Sequence, residues 1–358
     1  MIKTNFIRFL YQNLLKPIFF KIDPESIHDF MTWVGMLLGK SKITKSITAF
    51  FLTYSHPALE QKILGVKFNN PVGLAAGFDK NAKLLDILPS VGFGFAEVGT
   101  ITGEPCFGNP KPRLWRLAKS SSLVVYYGLK NDGSEAISNR LKKEKFIIPI
   151  ITSIGKTNSE ATVETEAGIK DYIKAYKHFT DIGHFFDINL SCPSAFGGQP
   201  FSDPKSLHQL LGEIDKIPTK KPVFLKMSPD LSNQQLDMIL DVVRKHKVAG
   251  FICSNLTKQN SPKGGLSGKA VEDLSNRQIQ RIYNATRGEY IIIGCGGVFS
   301  AEDAYKKIKL GASLIELITG MIFEGPQVIS EINRGLVQLL QKDGYKNISQ
   351  AVGRGDRN

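Results

Sequence analysis

The stretch that decides the fold is residues 185–198, FFDINLSCPSAFGG. Its first half has the aromatic and β-branched residues of a buried strand, with Asp187 as the one charge. Polar or small side chains follow, and Pro193 with the pair Gly197-Gly198 directs the backbone out of the sheet. Parallel α/β proteins carry their chemistry where a buried strand ends in such a loop. Cys192 is the residue here that could act as nucleophile or proton acceptor near neutral pH; the alternative is a small buried apolar residue.

A pattern of strand, polar or glycine-rich loop and helix repeats from residue 60 onward. Eight repeats over roughly 290 residues predict a closed (β/α)8 barrel, with an open doubly wound sheet as the alternative. The predicted barrel strands are Val72–Ala76, Phe95–Gly99, Pro149–Ser153, Phe185–Leu190, Pro222–Lys226, Ala249–Ser254, Tyr290–Cys295 and Ser313–Leu317. Residues 65–70 are predicted to form a hairpin over the barrel floor. Residues 103–145 are too long for a simple connection and are predicted to form a lid or a protruding element over the top.

Residues 1–57 differ from the barrel that we predict for residues 58–358. Apolar residues recur at helical spacing over the first twenty residues, which predicts an amphipathic helix. Asp23 and Pro24 then begin a second helix, as N-cap and first helical residue. Seven basic and three acidic residues give the segment a net charge of +4. The two helices could pack on the barrel, lie in a membrane interface, or do both with opposite sides.

The composition narrows the partners and the compartment. A net charge of +13 on 358 residues indicates an anionic partner. The lysines lack the arginine and aromatic clusters of a nucleic-acid groove, which leaves an anionic membrane surface as the favoured partner. Four cysteines without a CxxC pair argue against a metal site and a disulfide framework, and fit a reducing cytoplasm. No uncharged apolar run approaches a membrane span, and basic residues interrupt every candidate signal peptide.

Reactive or hydrogen-bonding residues follow every predicted strand, and one face of a barrel would bring them together. They are Asp79-Lys80, Gly99-Thr100, Ser153 with Lys156, Asn189 through Ser194, Lys226, Ser254-Asn255, Gly294 with Gly296-Gly297, and Thr319-Gly320. The glycine turns after the last two strands present backbone N–H groups to an anion, as in the usual barrel phosphate site. Lys226 would add a positive charge that can stabilise the anionic reduced form of a flavin. No GxGxxG follows the first strand, so a Rossmann site is not predicted.

Long motifs then identify a family. They are Asp23-Pro24-Glu25 with His28, residues 70–80 (NPVGLAAGFDK), 92–94 (GFG), 98–100 (VGT), 111–117 (KPRLWRL), 264–268 (GGLSG) and 311–313 (GAS). With these motifs the chain resembles the dihydroorotate dehydrogenases over nearly its whole length, in particular the membrane-associated, quinone-reducing class. The resemblance implies FMN as cofactor and oxidation of dihydroorotate to orotate in pyrimidine biosynthesis. It also implies reoxidation by a quinone that enters beneath N-terminal helices on the cytoplasmic face of the inner membrane.

The same resemblance assigns roles to residues. Cys192 is the base that removes a substrate proton. The residues implied around the substrate are Lys80, Asn189, Ser194, Asn255 and Val125. The residues implied around FMN are Ala76, Gly77, Lys80, Thr100, Ser153, Asn189, Lys226, Ser254, Gly268, Gly296, Gly297, Thr319 and Gly320. His28 and Arg116 are implied at the quinone.

The chain also departs from the family pattern. Cys192 is characteristic of the soluble class, whereas the quinone-linked class has serine there. Val125, Ser194, Ser153 and Lys130 each stand in place of an asparagine, and Ile318 in place of a tyrosine of the quinone tunnel. Each lost hydrogen bond to the substrate costs about 1–3 kcal/mol. Two losses at the substrate would therefore weaken dihydroorotate binding by about one to three orders of magnitude.

These departures leave alternatives to the family activity. One is a paralogue that uses FMN and Cys192 on a C–C bond of a less polar cyclic substrate, which Val125 favours. The other is a flavin-binding protein without turnover, which the joint presence of Lys80, Asn189, Cys192 and Lys226 argues against.

Overall fold

The structure, a computed structural model, describes residues 2–193, 196–261 and 263–355. Its strands are β1 (Gln61–Ile63), β2 (Val66–Phe68), β3 (Val72–Leu74), β4 (Phe95–Ile101), β5 (Leu114–Leu117), β6 (Ser122–Val125), β7 (Ile150–Ile154), β8 (Phe185–Asn189), β9 (Val223–Lys226), β10 (Val248–Cys253), β11 (Gly265–Gly268), β12 (Ile291–Cys295) and β13 (Leu314–Leu317). Eight of them pair in parallel and close into a barrel in the order β3, β4, β7, β8, β9, β10, β12, β13. The predicted (β/α)8 barrel is confirmed, and the open-sheet alternative is wrong.

Helices cover the outside of this barrel. In chain order they are α1 (Ile2–Leu10), α2 (Lys16–Phe19), α3 (Pro24–Lys40), α4 (Lys42–Leu52), α5 (Leu88–Val91), α6 (Ser134–Leu141), α7 (Thr165–His178), α8 (Pro204–Asp215), α9 (Asn233–Val243), α10 (Glu272–Thr286), α11 (Ala301–Lys309), α12 (Thr319–Glu324) and α13 (Val328–Lys342). Their apolar faces join the strands in one core, in which Leu207, Leu240 and Ile282 are buried. Ser232 and Ser300 fix the starts of α9 and α11 with reciprocal capping boxes.

Side chains that alternate along the strands fill the barrel in layers, as expected for this fold. Phe95, Phe185 and Leu314 face the interior from alternate strands of the barrel order, and Ile151 and Phe224 face it from strands between them. The interior is therefore a packed core, and the chemistry has to lie at the carboxyl ends of the strands.

A hairpin closes the floor of the barrel, but it begins earlier than predicted. β1 and β2 pair in antiparallel fashion around a turn at Leu64 and Gly65, which both have positive φ. The prediction of residues 65–70 is thus displaced by a few residues. Phe68 at its end packs against Phe95 and Phe185, with ring centroids 5.6 and 5.9 Å away.

Residues 103–145 contain β5, β6 and α6. β5 and β6 form an antiparallel pair, and β11 from far along the chain adds a third strand against β6. Residues 103–145 thus form more than a simple connection, as predicted, and the third strand of this sheet was not predicted.

The N-terminal residues form α1, a π-helical turn over Tyr11–Leu15, and α2, α3 and α4. Asp23 caps α3 as predicted, since its side chain accepts a 2.8 Å hydrogen bond from the N–H of Ser26. The separate helix α4 was not predicted. Large apolar side chains of this segment remain exposed, among them Phe9 (60%), Ile18 (57%) and Trp33 (56%). Among the described residues, no helix combines the length and the apolar character that crossing a bilayer requires.

Candidate active site

Two adjoining cavities lie at the carboxyl ends of the barrel strands. The polar cavity, about 110 Å³, extends from Lys226 to Cys192, and the apolar cavity, about 220 Å³, lies beneath α2 and α3. Lys80, Val125 and Asn255 line both cavities. A polar compartment is therefore continuous with an apolar one.

The structure brings half of the predicted substrate and flavin residues to the polar cavity, together with the predicted base Cys192. Those that line it are Ala76, Gly77, Lys80, Thr100, Val125, Asn189, Cys192, Lys226 and Asn255. Ser194 lies outside the described residues. The barrel accounts for the shared location of the residues that line the cavity, while their individual roles stay predictions.

Two predicted serines lie just outside the cavity wall. Ser153 is fully buried, with its Oγ 2.9 Å from Oγ1 of Thr100. Ser254 is also fully buried, and its hydroxyl donates to Oε1 of Gln278. Neither side chain faces the polar cavity directly.

The predicted phosphate turns form one cradle. Gly296 and Gly297 follow β12 with φ of +91° and +76°, values that favour glycine. A Cβ on Gly320 would lie 2.0 Å from the carbonyl oxygen of Val298, and one on Gly268 would lie 2.8 Å from Cγ2 of Thr319. The turns after β11, β12 and β13 therefore meet where only glycine fits. Such turns leave backbone N–H groups open to a phosphate, which fits the phosphate end of FMN.

Asn189 is held by a directed hydrogen-bond chain. Its Oδ1 accepts from the backbone N–H of Ser191 at 3.0 Å, which leaves Nδ2 to donate to Oγ1 of Thr100 at 2.7 Å. Thr100 then meets Ser153 at 2.9 Å, and Ser153 donates to Oδ2 of Asp187 at 2.7 Å. This chain fixes Asn189 beside Cys192 and connects the polar cavity to the barrel interior.

Cys192 is half-buried at the start of the loop after β8. Lys156 donates to the carbonyl oxygen of Phe196 at 3.0 Å and to Oγ1 of Thr162 at 3.1 Å, which secures this loop. Burial lowers the pKa of Lys156, while the negative charges of Asp171 and of an ionised Cys192 act to raise it. Lys156 therefore interacts electrostatically with an ionised Cys192.

Lys80 links the two cavities. Its Nζ lies 3.3 Å from Nε2 of His28 and 4.1 Å from the ring centroid of Tyr127. Burial lowers the pKa of Lys80 to about 7, although Asp29 acts to raise it. Burial, followed by the charge of Lys80, likewise lowers the pKa of His28. This pair can therefore change its charge near neutral pH. Tyr127 was not predicted as a site residue, and nothing in its local sequence marks it.

Lys226 is surrounded by acidic residues that were not predicted at the site. Its Nζ forms an ion pair with Oε2 of Glu97 and lies 4.0 Å from Oε2 of Glu316. Both carboxyls and that of Asp187 have no exposed surface. Each acid occupies an inward position on a strand, which is a signal that alternation could have revealed.

The predicted quinone residues lie at the apolar cavity. His28, Arg116 and Ile318 line it, together with residues of α2 and α12. Arg116 donates to the carbonyl oxygen of Ile22 at 2.7 Å, and its guanidinium stands 4.9 Å from the ring centroid of Phe20. The cavity thus has apolar walls with three basic groups, those of His28, Arg116 and Lys80.

A buried ion pair fixes the roof of this cavity. Arg113, the residue before β5, donates two hydrogen bonds of 3.0 and 2.7 Å to the carboxylate of Glu25 in α3. The two side chains are 5% and 4% exposed. Such two-pronged pairing orients its partners, so α3 has a defined position over the cavity.

Comparisons with known proteins identify relatives of this chain. The family model described as dihydroorotate dehydrogenase matches residues 58–340. The dihydroorotate dehydrogenase (quinone) of Natronomonas pharaonis is 37% identical over 353 residues, covering 96% of this chain and 99% of the relative. That of Nautilia profundicola is 36% identical over 350 residues, covering 95% and 96%. The crystal structure of DHODH from Eimeria tenella with ferulenol matches with a TM-score of 0.82 at 31% identity, covering 94% of this chain and 96% of that one.

Proposed function

This chain belongs to the dihydroorotate dehydrogenase family, and from that premise we propose that it oxidises dihydroorotate to orotate and transfers the electrons through FMN to a quinone. The observation that carries the proposal is the continuity of the two cavities at Lys80, Val125 and Asn255. A polar site for the ring and an apolar site for the quinone then share one wall.

The residues present fit FMN. Lys226 and Thr100 offer a cation and a hydroxyl at the polar cavity, and the cradle at Gly296, Gly297 and Gly320 fits a phosphate. The full set that we propose around FMN is Ala76, Gly77, Lys80, Thr100, Ser153, Asn189, Lys226, Ser254, Gly268, Gly296, Gly297, Thr319 and Gly320. When bound, FMN accepts a hydride from the substrate and returns two electrons to the acceptor.

Cys192 acts as the base. Formation of the new double bond requires loss of a hydride from one ring carbon and of a proton from the next. The loop after β8 presents Cys192 to the polar cavity, and Lys156 supports its ionised form. A positioned base of this kind contributes about 10²–10⁴-fold to the rate.

Lys80, Asn189 and Asn255 orient the substrate, with Ser194 as a further predicted contact. The ammonium of Lys80 complements the substrate carboxylate, and the two amides complement ring carbonyl and N–H groups. Val125 adds apolar surface to the same wall. The names of the relatives favour dihydroorotate over a less polar ring.

The apolar cavity receives the quinone, with His28 and Arg116 as its polar contacts. Exposed apolar side chains on residues 1–57 and the net charge of +4 support peripheral binding to an anionic membrane surface. We therefore place the protein on the cytoplasmic face of the inner membrane, with residues 1–57 as the membrane segment and residues 58–358 as the FMN-binding barrel.

Anaerobic stopped-flow spectroscopy tests this function. Purified protein loaded with FMN should lose its yellow absorbance on mixing with dihydroorotate and regain it on adding a quinone. Protein that takes up no FMN would contradict the cofactor. Bound FMN that dihydroorotate leaves oxidised, while another dihydropyrimidine reduces it, would contradict the substrate.

A further inference from the structure

The barrel interior holds a layer of acids directly beneath the polar cavity. Alternate strands of the barrel contribute one side chain each to a layer. Two residues beyond the inward-facing Phe95, Phe185 and Leu314, the same strands carry Glu97, Asp187 and Glu316. Ile252 of β10 is an inward residue from the remaining alternate strand. We call the three acids the carboxyl layer.

The charges of this layer do not balance unless it holds protons. All three carboxyls have no exposed surface, and the cation in contact with them is Lys226. With every carboxyl ionised, the interior would carry a net charge of −2, which burial makes very costly. Two bound protons leave one ion pair and two neutral acids.

The hydrogen-bond geometry shows which acid is ionised. Oε2 of Glu97 accepts from the backbone N–H of Ala76 at 2.8 Å and from Lys226. Oε1 of Glu97, Oδ1 of Asp187 and both carboxyl oxygens of Glu316 receive no ordinary N–H or O–H donor among the described residues. The carboxyls of Asp187 and Glu316 both interact with that of Glu97. Because these oxygens accept no hydrogen bond from an N–H or O–H group of the described residues, Asp187 and Glu316 fit protonated acids that donate their own protons to Glu97.

The electrostatics agree with this assignment. Burial, followed by the charge of Glu97, raises the pKa values of Asp187 and Glu316 well above their usual range. Burial would raise the pKa of Glu97 too, but Lys226 and the neighbouring donors hold it below its usual value. Cys295 also faces this group, and burial raises its pKa to about 12, so it stays a neutral thiol. The phenol of Tyr172, whose pKa burial raises, is neutral as well.

Two routes connect the carboxyl layer with the polar cavity. Lys226 contacts Glu97 on one side and lines the cavity on the other. The hydroxyls of Thr100 and Ser153 form the second route, because Asn189 donates to Thr100 and thereby directs both hydroxyl protons toward Asp187. Uptake of a proton by the carboxyl layer can thus compensate a negative charge that is added to the polar cavity.

We propose that Glu97, Asp187 and Glu316 share two protons at neutral pH and take up a third when negative charge accumulates in the polar cavity. This inference rests on the proposed function, in which transfer of a hydride to a bound flavin would add one negative charge to the polar cavity. The carboxylate of Glu97 then binds one proton from the solvent or from the substrate, and releases it when the two electrons and two protons leave with the quinone. The three acids act through Lys226 and are positioning residues.

The first experiment needs no flavin. The variants Asp187→Asn and Glu316→Gln replace neutral acids with neutral amides of the same shape. In native wild type each of these two carboxyls keeps its proton, whereas in the unfolded chain the same carboxyl, with a pKa of about 4, loses it at higher pH. The free energy of unfolding of the wild type therefore falls as pH rises. The equilibrium constant of unfolding of wild type, divided by that of each variant, should therefore rise about tenfold per pH unit between about pH 5 and 7. Glu144→Gln, an exposed carboxyl, should show no such rise. Parallel pH profiles for wild type and both buried variants would overturn the proton sharing.

The second experiment counts protons on reduction. Electrochemical reduction of bound FMN to its anion, with electrons supplied by an electrode, takes one proton for the flavin itself. We expect wild type at pH 7 to take up two protons per flavin while the spectrum of the reduced flavin stays anionic. Glu97→Gln should take up one, and Glu97→Gln with Lys226→Met serves if the single variant does not fold. Uptake of one proton by wild type would overturn the coupling. Absence of bound FMN would instead contradict the proposed function, and the stability experiment would still decide the proton sharing.

Discussion

Replacement of Cys192 by alanine is the sharpest test of the proposed chemistry. The thiol lies at the polar cavity on a loop that Lys156 and Asn189 hold from two sides. Removal of a positioned base lowers the rate by about 10²–10⁴-fold, equivalent to about 3–5 kcal/mol of transition-state stabilisation. The side chain is half-buried, so losing its sulfur should cost less than about 1 kcal/mol of folding stability. The rate should therefore fall far more than the stability.

The assay is single-turnover reduction of bound FMN by dihydroorotate across a range of pH. Cys192→Ser should retain more activity than Cys192→Ala, with its optimum at higher pH because a hydroxyl is a weaker acid than a thiol. FMN should stay bound in both, since the glycine cradle lies on other strands. Cys106→Ala is the matched control, because it removes a buried thiol outside the polar cavity. Reduction by Cys192→Ala within a few-fold of wild type at every pH would show that the base lies elsewhere.

Further predictions concern the substrate wall, the membrane surface and Lys80. Val125→Asn should tighten dihydroorotate binding about tenfold by restoring a hydrogen bond in the polar cavity, as measured by titration of the flavin spectrum; unchanged or weaker binding would show that the valine suits the true substrate. Phe9→Asp with Ile18→Asp should weaken binding to anionic vesicles by at least about two orders of magnitude, because each exposed side chain contributes about 1.5–3 kcal/mol when buried in lipid. Ile147→Asp, exposed on the barrel, is the control for co-sedimentation and should bind like wild type. The dissociation constant for dihydroorotate should rise above about pH 7, because Lys80 loses its charge there. Lys80→Met should bind dihydroorotate weakly at every pH. If that variant shows the same pH dependence as wild type, the titrating group is not Lys80.

The sequence predicted the barrel because each strand carries its own local signal. Runs such as residues 185–189 combine buried aromatic residues with a polar end, and the barrel closes once eight of them repeat. Strand β11 lacked such a signal, since residues 265–268 are half glycine and pair with β6 from across the chain. The floor hairpin was displaced because Leu64 has a φ of +48° at its turn, a position where leucine gives no turn signal.

The candidate site was predictable to the extent that strand ends determine it. Lys80, Thr100 and Asn189 reach the polar cavity because the carboxyl ends of parallel strands meet at one face. Tyr127 was missed because its contact with Lys80 depends on how a loop folds back over that face. Lys156 was predicted at a strand end but without a role, because its contact with Phe196 also depends on loop folding. Loop geometry is set by tertiary packing, which periodicity along the chain does not report.

The carboxyl layer illustrates a different limit. Glu97, Asp187 and Glu316 lie far apart in sequence, and each one alone would be a single acid in an apolar strand. Alternation shows that each side chain faces inward, but their mutual contact follows from barrel closure, which brings β13 beside β3 and thus near β4. Their protonation follows only when all three are counted against the one charge of Lys226. From the sequence, Lys226 would be expected to add a positive charge next to the flavin, but in the structure the carboxylate of Glu97 already neutralises it. The proton uptake that we propose for the carboxyl layer would make the pH dependence of flavin reduction a property of the barrel interior as well as of Cys192.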